Sequence, residues 1–253
     1  MDAGAGAMAW SRSAIDRPYV VNKGKIGAYL GYSIASITFQ FDPTMPATTI
    51  TADGFGVGAG YGITDKITAG LQYAFTPGLI GDADSEIKGE LDIFGMFQIA
   101  RSAKMDITAT ADFALGLASD PVSKGIAAGL GAKYLLAPKM ALFTGGPYGP
   151  GPVGQHLQIS LDTDGPITFS LPVGFMFQAT PELNLYGMTN LTTIAISNAG
   201  DSTFFGADYI PLFLGGLFSV TPNIDVTADF GLPDLKEAGF DLYVFSIGAR
   251  YYN

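Results

Sequence analysis

A strict two-residue alternation runs through residues 53–75 and constrains the fold of this chain more than any other feature. A helix here would lose about 1 kcal/mol per glycine relative to alanine, and the glycine spacing does not match the dinucleotide-binding fingerprint. Because side chains on a β-strand alternate between its two faces, we predict a strand with one apolar face and one nearly bare face. The bare positions are Gly54, Gly56, Gly58, Gly60 and Gly62.

The same alternation returns after a short polar turn at 64–66, so residues 53–75 are predicted to form a hairpin. It recurs in further segments, namely 90–100, 105–117, 167–178 and 224–230. The segment 207–220 is apolar on both faces, with a bulge at Gly215–Gly216 as one interpretation. The sequence leaves the register of 207–220 open, and also that of 139–161, where glycines and prolines interrupt the pattern.

Composition indicates what the apolar face contacts. The chain is 48% hydrophobic and only 14% charged, with a mean hydropathy of +0.30. No apolar run approaches the roughly 18–20 residues of a membrane helix, and the longest candidate, 209–220, contains a proline and two glycines. Alternation without a spanning helix is typical of a transmembrane β-barrel, whose apolar face meets lipid. A soluble two-sheet protein would alternate in the same way, so periodicity alone leaves both open.

The spacing of the turns favours the barrel. Short polar turns alternate with longer connections, which is the asymmetry expected between the periplasmic and extracellular ends of such a barrel. Five short turns join ten strands, and one strand before and one after them make twelve. We therefore predict an all-β, antiparallel up-and-down transmembrane barrel over residues 19–253. The short turns are 64–66, 102–104, 137–139, 180–182 and 221–223, and the longer connections are 42–47, 76–86, 119–124, 145–155, 197–202 and 232–239.

The C-terminal segment FDLYVFSIGARYYN resembles the closing strand of Gram-negative outer-membrane β-barrel proteins. Apolar residues alternate there up to Tyr251, and Tyr252 nearly ends the chain, although the family usually ends on the aromatic residue itself and Asn253 follows here. The resemblance covers an architecture and not one family within it. It implies a place in the bacterial outer membrane, contact with outer-membrane lipid and lipopolysaccharide, and insertion by the barrel-assembly machinery.

The N-terminal residues are expected to lie outside the barrel wall. Residues 1–18 are predicted to form a periplasmic tail, with a small plug in the lumen as the alternative. No secretory signal peptide is visible in the first 25 residues. We therefore expect the mature form of an exported protein, with a remnant of expression within residues 1–9.

The predicted lumen is acidic, in keeping with the net charge of −10. Because acidic rings favour cations in pores, we predict an outer-membrane channel for passive diffusion of small solutes or ions with a weak cation preference. The carboxylates could instead pair with the few bases or form a hydrated wall. The predicted lumen residues are Glu90, Asp92, Asp106, Asp112, Asp225 and Asp229, together with Lys25, Lys133 and Arg250.

Three aromatic residues are predicted to point inward: Tyr29, Phe94 and Tyr186. Twelve strands lie between the filled barrels of eight strands and the open channels of 16–18. These rings could form a track for a partly apolar solute, or they could fill space, which we favour. The alternative function is a closed barrel that acts as a structural or surface-binding protein through its extracellular loops.

No catalytic or cofactor site is predicted. Most hydrolytic chemistries need a histidine as base, and the one histidine, His156, lies about 13 Å from Ser160 by strand rise. There is no cysteine, and a single histidine cannot build a zinc cluster. The acidic run 82–86 is followed by Ile87 where a calcium loop needs glycine. A pI near 4.3 without a basic patch argues against nucleic acid.

The alternation in 53–75 also predicts the effect of substitutions. Val57→Arg places a charge on the lipid face and should cost about 2–4 kcal/mol at mid-membrane depth. Gly58→Ser, on the opposite face, is expected to cost much less.

Overall fold

The computed structural model describes residues 11–39, 46–81, 86–117, 122–145, 157–162, 167–196, 203–205, 211–235 and 238–253. Within these ranges the chain forms fourteen strand segments and two short 3-10 helices, at Ala14–Asp16 and Gly239–Asp241. The strands are β1 Ile26–Phe39, β2 Thr48–Thr64, β3 Ile67–Thr76, β4 Glu86–Arg101, β5 Met105–Gly116, β6 Ser123–Ala137, β7 Met140–Thr144, β8 Leu157–Asp162, β9 Ile167–Gln178, β10 Leu183–Ile196, β11 Thr203–Phe205, β12 Leu212–Thr221, β13 Ile224–Leu232 and β14 Leu242–Tyr252.

The described strands form one closed antiparallel barrel with twelve wall positions. Each wall position pairs with the positions on either side of it, and β1 pairs with β14 from Gly27↔Tyr252 to Ile37↔Leu242, which closes the wall. Two positions each contain two segments: β7 and β8 both lie between β6 and β9, while β11 and β12 both pair with β10. The prediction of a twelve-stranded up-and-down barrel is confirmed.

The prediction that 145–155 connects two neighbouring strands is wrong. Thr144 pairs with Ala132 of β6 and Leu157 with Leu130, so the chain leaves and re-enters the same wall position. The connection to β9 is 163–166. Glycine and proline interrupt the alternation here, but the chain then returns to the same wall position. The sequence pattern does not distinguish such a return from a connection to the next strand. His156 lies outside the described residues.

The register of the second ambiguous segment is also resolved. Pairing of β12 with β13 runs without a shift through Gly215 and Gly216, so the suggested bulge is not there. The irregularity lies between Ser219 and Thr221, beside the turn into β13. A bulge next to a turn adjusts the twist of the hairpin rather than the course of the wall.

The two ends of the barrel differ. The turns 65–66, 102–104, 138–139, 179–182 and 222–223 lie at one end, which we call the short-turn end. The start of β1 and the end of β14 lie there too. The opposite end, which we call the long-loop end, has the connections 40–47, 77–85, 117–122, 163–166, 197–202 and 233–241.

The outer face of the wall is apolar and carries aromatic side chains near both ends. Leu30, Val57 and Leu71 are 44–53% exposed at mid-strand positions. At the long-loop end, Phe55 and Phe75 have ring centroids 5.3 Å apart. An apolar band flanked by aromatic girdles is the outer surface of a barrel in a bilayer. The aromatic residues exposed nearer the short-turn end are Tyr61, Phe97, Tyr134, Phe177, Phe218 and Tyr251. Among the described residues, no helix is long and apolar enough to cross a membrane.

The inner face explains the glycines. A Cβ added at Gly58 would lie 3.0 Å from Gln72 Cβ and against the Tyr29 ring, because that ring lies flat over the strand. The expectation that Gly58→Ser is mild is therefore wrong. The same relation holds where Phe94 covers Gly70 and where Tyr186 covers Gly215; residues without a side chain let these rings lie along the wall.

Candidate functional site

Residues 11–22, which we call the plug, lie inside the barrel at the short-turn end. Ile15 and Val20 are 1% exposed and Arg17 is 6% exposed. Hydrogen bonds join the plug to side chains of β3, β5, β6, β9, β12 and β13. The plug therefore crosses the lumen and is attached around its circumference. Residues 1–10 lie outside the described residues.

An ion pair fixes the centre of the plug. The guanidinium of Arg17 donates to both carboxylate oxygens of Asp225 on β13, and its Nη2 also donates to Ser219 Oγ at 2.9 Å. Asp225 and Ser219 are 0% exposed. The ring of Tyr252 lies 5.5 Å from the Arg17 Cζ. A charge buried this deeply is stable only when it is paired and hydrogen-bonded, and both partners here meet that condition.

A second polar attachment lies on β5 and β6, where Asp106 and Lys133 are in register. Lys133 Nζ donates to the backbone oxygen of Arg17 at 2.5 Å. Asp106 Oδ2 accepts from the backbone N–H of Tyr19 at 3.3 Å. Burial, with the Asp106 charge adding to it, raises the pKa of the Tyr19 phenol above its ordinary range. The two predicted lumen charges therefore bond the plug backbone.

Neutral groups satisfy two further backbone donors of the plug. The N–H of Val21 donates to Thr68 Oγ1 on β3 at 2.8 Å, and the N–H of Ile15 donates to Gln178 Oε1 on β9 at 3.3 Å. Thr68 and Gln178 are 0% and 4% exposed. Because a buried N–H without an acceptor is destabilising, these side chains fix the path of the plug.

Apolar packing accompanies these bonds on two sides of the lumen. Tyr19 and Val20 pack with Phe94 and Met96 of β4. On the opposite side, Ile15 packs into a cluster of wall side chains. That cluster contains Ala141, Phe143, Met176 and Met188.

Towards the long-loop end, three carboxylates on β4 and β5 form what we call the acidic wall: Glu90, Asp92 and Asp112. Asp92 is 5% exposed and accepts from Gln72 Nε2 at 2.6 Å. The hydroxyl of Tyr29 in turn donates to Gln72 Oε1 at 2.9 Å. A neutral amide thus contacts Asp92, and the negative charge of the wall is not cancelled by that contact.

The remaining predicted residues lie on β10, β13, β14 and β1. The Tyr186 hydroxyl donates to Asp229. Arg250 lies opposite Asp225 on one side and Tyr29 on the other. Lys25 lies in the link between the plug and β1.

The predicted site residues therefore separate into groups. Asp106, Lys133 and Asp225 contact the plug, whereas Glu90, Asp92 and Asp112 form the acidic wall. Their role in ion selectivity stays a prediction, and so does the role of the aromatic rings, each of which covers a glycine of a neighbouring strand.

Sequence reasoning missed the residues that hold the plug. Arg17, Thr68, Gln178 and Ser219 were not singled out. The one signal in the sequence is the apolar character of 19–21, directly after the predicted tail 1–18. Within the described ranges, no three histidine, aspartate or glutamate side chains are grouped as metal ligands would be.

No protein-family model matches this chain, and no curated protein matches it by sequence. Solved structures do resemble it. An outer membrane channel from Pseudomonas putida F1 has a TM-score of 0.60 and 11% identity, with 99% of this chain and 100% of that chain covered.

Two porins are also similar in structure. The KdgM porin, in complex with disordered oligogalacturonate, has a TM-score of 0.55 and 5% identity over 88% of this chain and 98% of its own. The NanC porin has a TM-score of 0.53 and 8% identity over 89% and 98%. At these identities the likeness shows the fold, which is that of outer-membrane β-barrels.

Proposed function

We propose that this protein is an outer-membrane channel for passive diffusion of small solutes or ions, weakly cation-preferring, which the plug closes in the conformation described here. The observation that carries the proposal is the acidic wall of Glu90, Asp92 and Asp112 inside a closed barrel whose outer face is apolar. Carboxylates along a pore raise the local concentration of cations.

The structural neighbours support the channel, since they are an outer-membrane channel and two porins. The apolar outer face supports a bilayer location. We propose lipid and lipopolysaccharide as its neighbours there, and the barrel-assembly machinery as the partner during insertion. The solute would cross the lumen past the acidic wall.

Ion selectivity tests the acidic wall. We expect discrete single-channel steps in a planar bilayer with a salt gradient, and a reversal potential that favours cations. Asp92→Asn with Asp112→Asn should shift that potential towards zero, because the charge that attracts cations is removed. Asp241→Asn, the same change at an exposed aspartate outside the wall, is the control. An equal shift in the control would contradict a selective role of the wall.

The plug must move for the lumen to conduct. Ala14 and Leu217 pack in one cluster, and the chain has no cysteine, so Ala14→Cys with Leu217→Cys gives a defined crosslink. We expect the oxidised double variant to be silent and reductant to restore conductance. Ala14→Cys alone, under the same oxidant, should behave as wild type. Conductance through the crosslinked barrel would show that the plug does not close the pore.

A charge on the outer face tests the membrane location. Val57→Arg should lower the free energy of unfolding in lipid by about 2–4 kcal/mol. Ile80→Arg, at an exposed position in the 77–81 segment at the long-loop end, should change it by less than about 0.5 kcal/mol. Equal effects at the two positions would contradict a bilayer that surrounds Val57.

The plug itself favours a second candidate, a closed barrel that acts as a structural or surface-binding protein through its extracellular loops. Silence of a folded, uncrosslinked barrel in every applied salt and voltage would support this candidate. An enzymatic role is not proposed.

A further inference from the structure

We propose that β12, β13 and β14 form a binding subsite for the guanidinium or alkylammonium group of a solute, which Arg17 of the plug occupies in the closed conformation. The inference rests on the proposed function, because a solute reaches this part of the wall only after the plug has left.

Three wall side chains build the subsite. Asp225 offers both carboxylate oxygens, and Ser219 Oγ lies 2.9 Å from Nη2 of Arg17. Ser219 and Asp225 are directly opposite each other on β12 and β13. The Tyr252 ring, 7% exposed, faces the guanidinium from β14 with its centroid 5.5 Å from Cζ. All three belong to strands of the barrel wall and not to the plug.

The chemistry of these groups selects a planar or compact cation. A carboxylate that is approached by two parallel N–H donors matches a guanidinium. An aromatic face adds attraction for a guanidinium or ammonium group. A neutral solute of the same shape would gain neither the charge-assisted bonds nor the cation–π contact.

When Arg17 leaves, the buried carboxylate of Asp225 needs another cation. Asp225 is 0% exposed, and an uncompensated buried carboxylate is strongly destabilising. Arg250 lies opposite Asp225 on β14 and is the wall cation placed to replace Arg17. In the structure Asp225 forms an ion pair with Arg17, a cation that belongs to the plug and not to the wall.

The apolar cluster around Ile15 indicates the chemistry of the rest of the solute. Ile15, two residues before Arg17, packs among Phe143, Met176 and Met188. A cation on a short apolar body would therefore use both parts of the space that the plug occupies.

The test measures binding to the full-length Arg17→Ala protein, refolded in detergent, by calorimetric titration. Ethylguanidinium is the probe, and ethylurea, its neutral analogue of the same shape, is the matched control. We expect saturable binding of ethylguanidinium at least about tenfold tighter than of ethylurea. Wild type should bind at least about tenfold more weakly than Arg17→Ala, because its subsite is filled. Adding Asp225→Asn to Arg17→Ala should reduce the affinity at least about tenfold.

Equal binding of the two probes, or binding unaffected by Asp225→Asn, would overturn the subsite. No binding to Arg17→Ala would do the same, since it would mean that Arg250 or water completes Asp225. If Arg17→Ala does not refold, Arg17→Gln replaces it with the same expectations. The assay is independent of conductance: a conducting barrel without binding overturns the subsite alone, whereas a silent barrel that binds overturns the channel alone.

Discussion

The same residue type has different partners in the two halves of the lumen. In the short-turn half, Asp225 accepts hydrogen bonds from the guanidinium of Arg17 in the plug and is 0% exposed. In the long-loop half, Asp92 accepts a hydrogen bond from the neutral amide of Gln72. Both aspartates face inward at equivalent positions of the strand pattern. The inward direction of a carboxylate alone therefore does not assign its role, and its hydrogen-bond partner must be known as well.

The largest expected effect comes from the apolar part of the plug seat. Met176→Ala should lower the free energy of unfolding by about 2–5 kcal/mol, as for other buried large-to-small changes, because Met176 is 0% exposed and packs with Ile15. Urea unfolding of the refolded barrel measures it. Met140→Ala, the same change at a 37% exposed position of β7, is the control. Similar losses at both positions would mean that the packing around the plug is unimportant.

A smaller effect is expected from one hydrogen bond of the plug backbone. Thr68→Val removes the acceptor of the Val21 N–H, and an unsatisfied buried donor costs about 1–3 kcal/mol. We expect faster chymotrypsin cleavage after Tyr19, which is 8% exposed with the plug in place. Thr110→Val, at an inward position that is 6% exposed on β5, should leave cleavage unchanged. If both variants accelerated cleavage equally, the hydrogen bond from Val21 to Thr68 would have no specific role in holding the plug.

The smallest effect is expected from the hydrogen bonds beside the acidic wall. Tyr29→Phe removes the hydroxyl that donates to Gln72 and should lower the free energy of unfolding by about 0.5–1.5 kcal/mol. Cleavage after Tyr19 should not change, since Tyr29 is not among the residues that bond the plug. Tyr61→Phe, on the outer face at 50% exposure, controls for loss of a hydroxyl. Release of the plug by Tyr29→Phe would show that the two halves are coupled.

The sequence determines the faces of the strands better than it determines their partners. Val57 lies outside and Asp92 inside because a period of two assigns every position of a strand once one is known. The contact between Arg17 and Asp225 spans 208 residues, and no local pattern encodes it. The error at Gly58 has the same origin, because the Tyr29 ring that covers it belongs to another strand. The split of β7 and β8 was missed because glycine and proline signal a break in alternation, not the position at which the chain resumes.

The path of the plug has a topological consequence. Near one end of the plug, Arg12 lies 3.5 Å from Glu182 in a short turn, and the other end leads into β1 beside Gly62. Both ends of the described segment thus lie at the same mouth, so residues 11–22 dip into the barrel as a loop and return to the side from which they enter. Side-chain bonds, and no strand pairing, hold these residues to β3, β5, β6, β9, β12 and β13. Release of these residues would be a local unfolding event, of the kind that takes place on microsecond-to-second timescales, and it requires no change in the pairing of the wall strands.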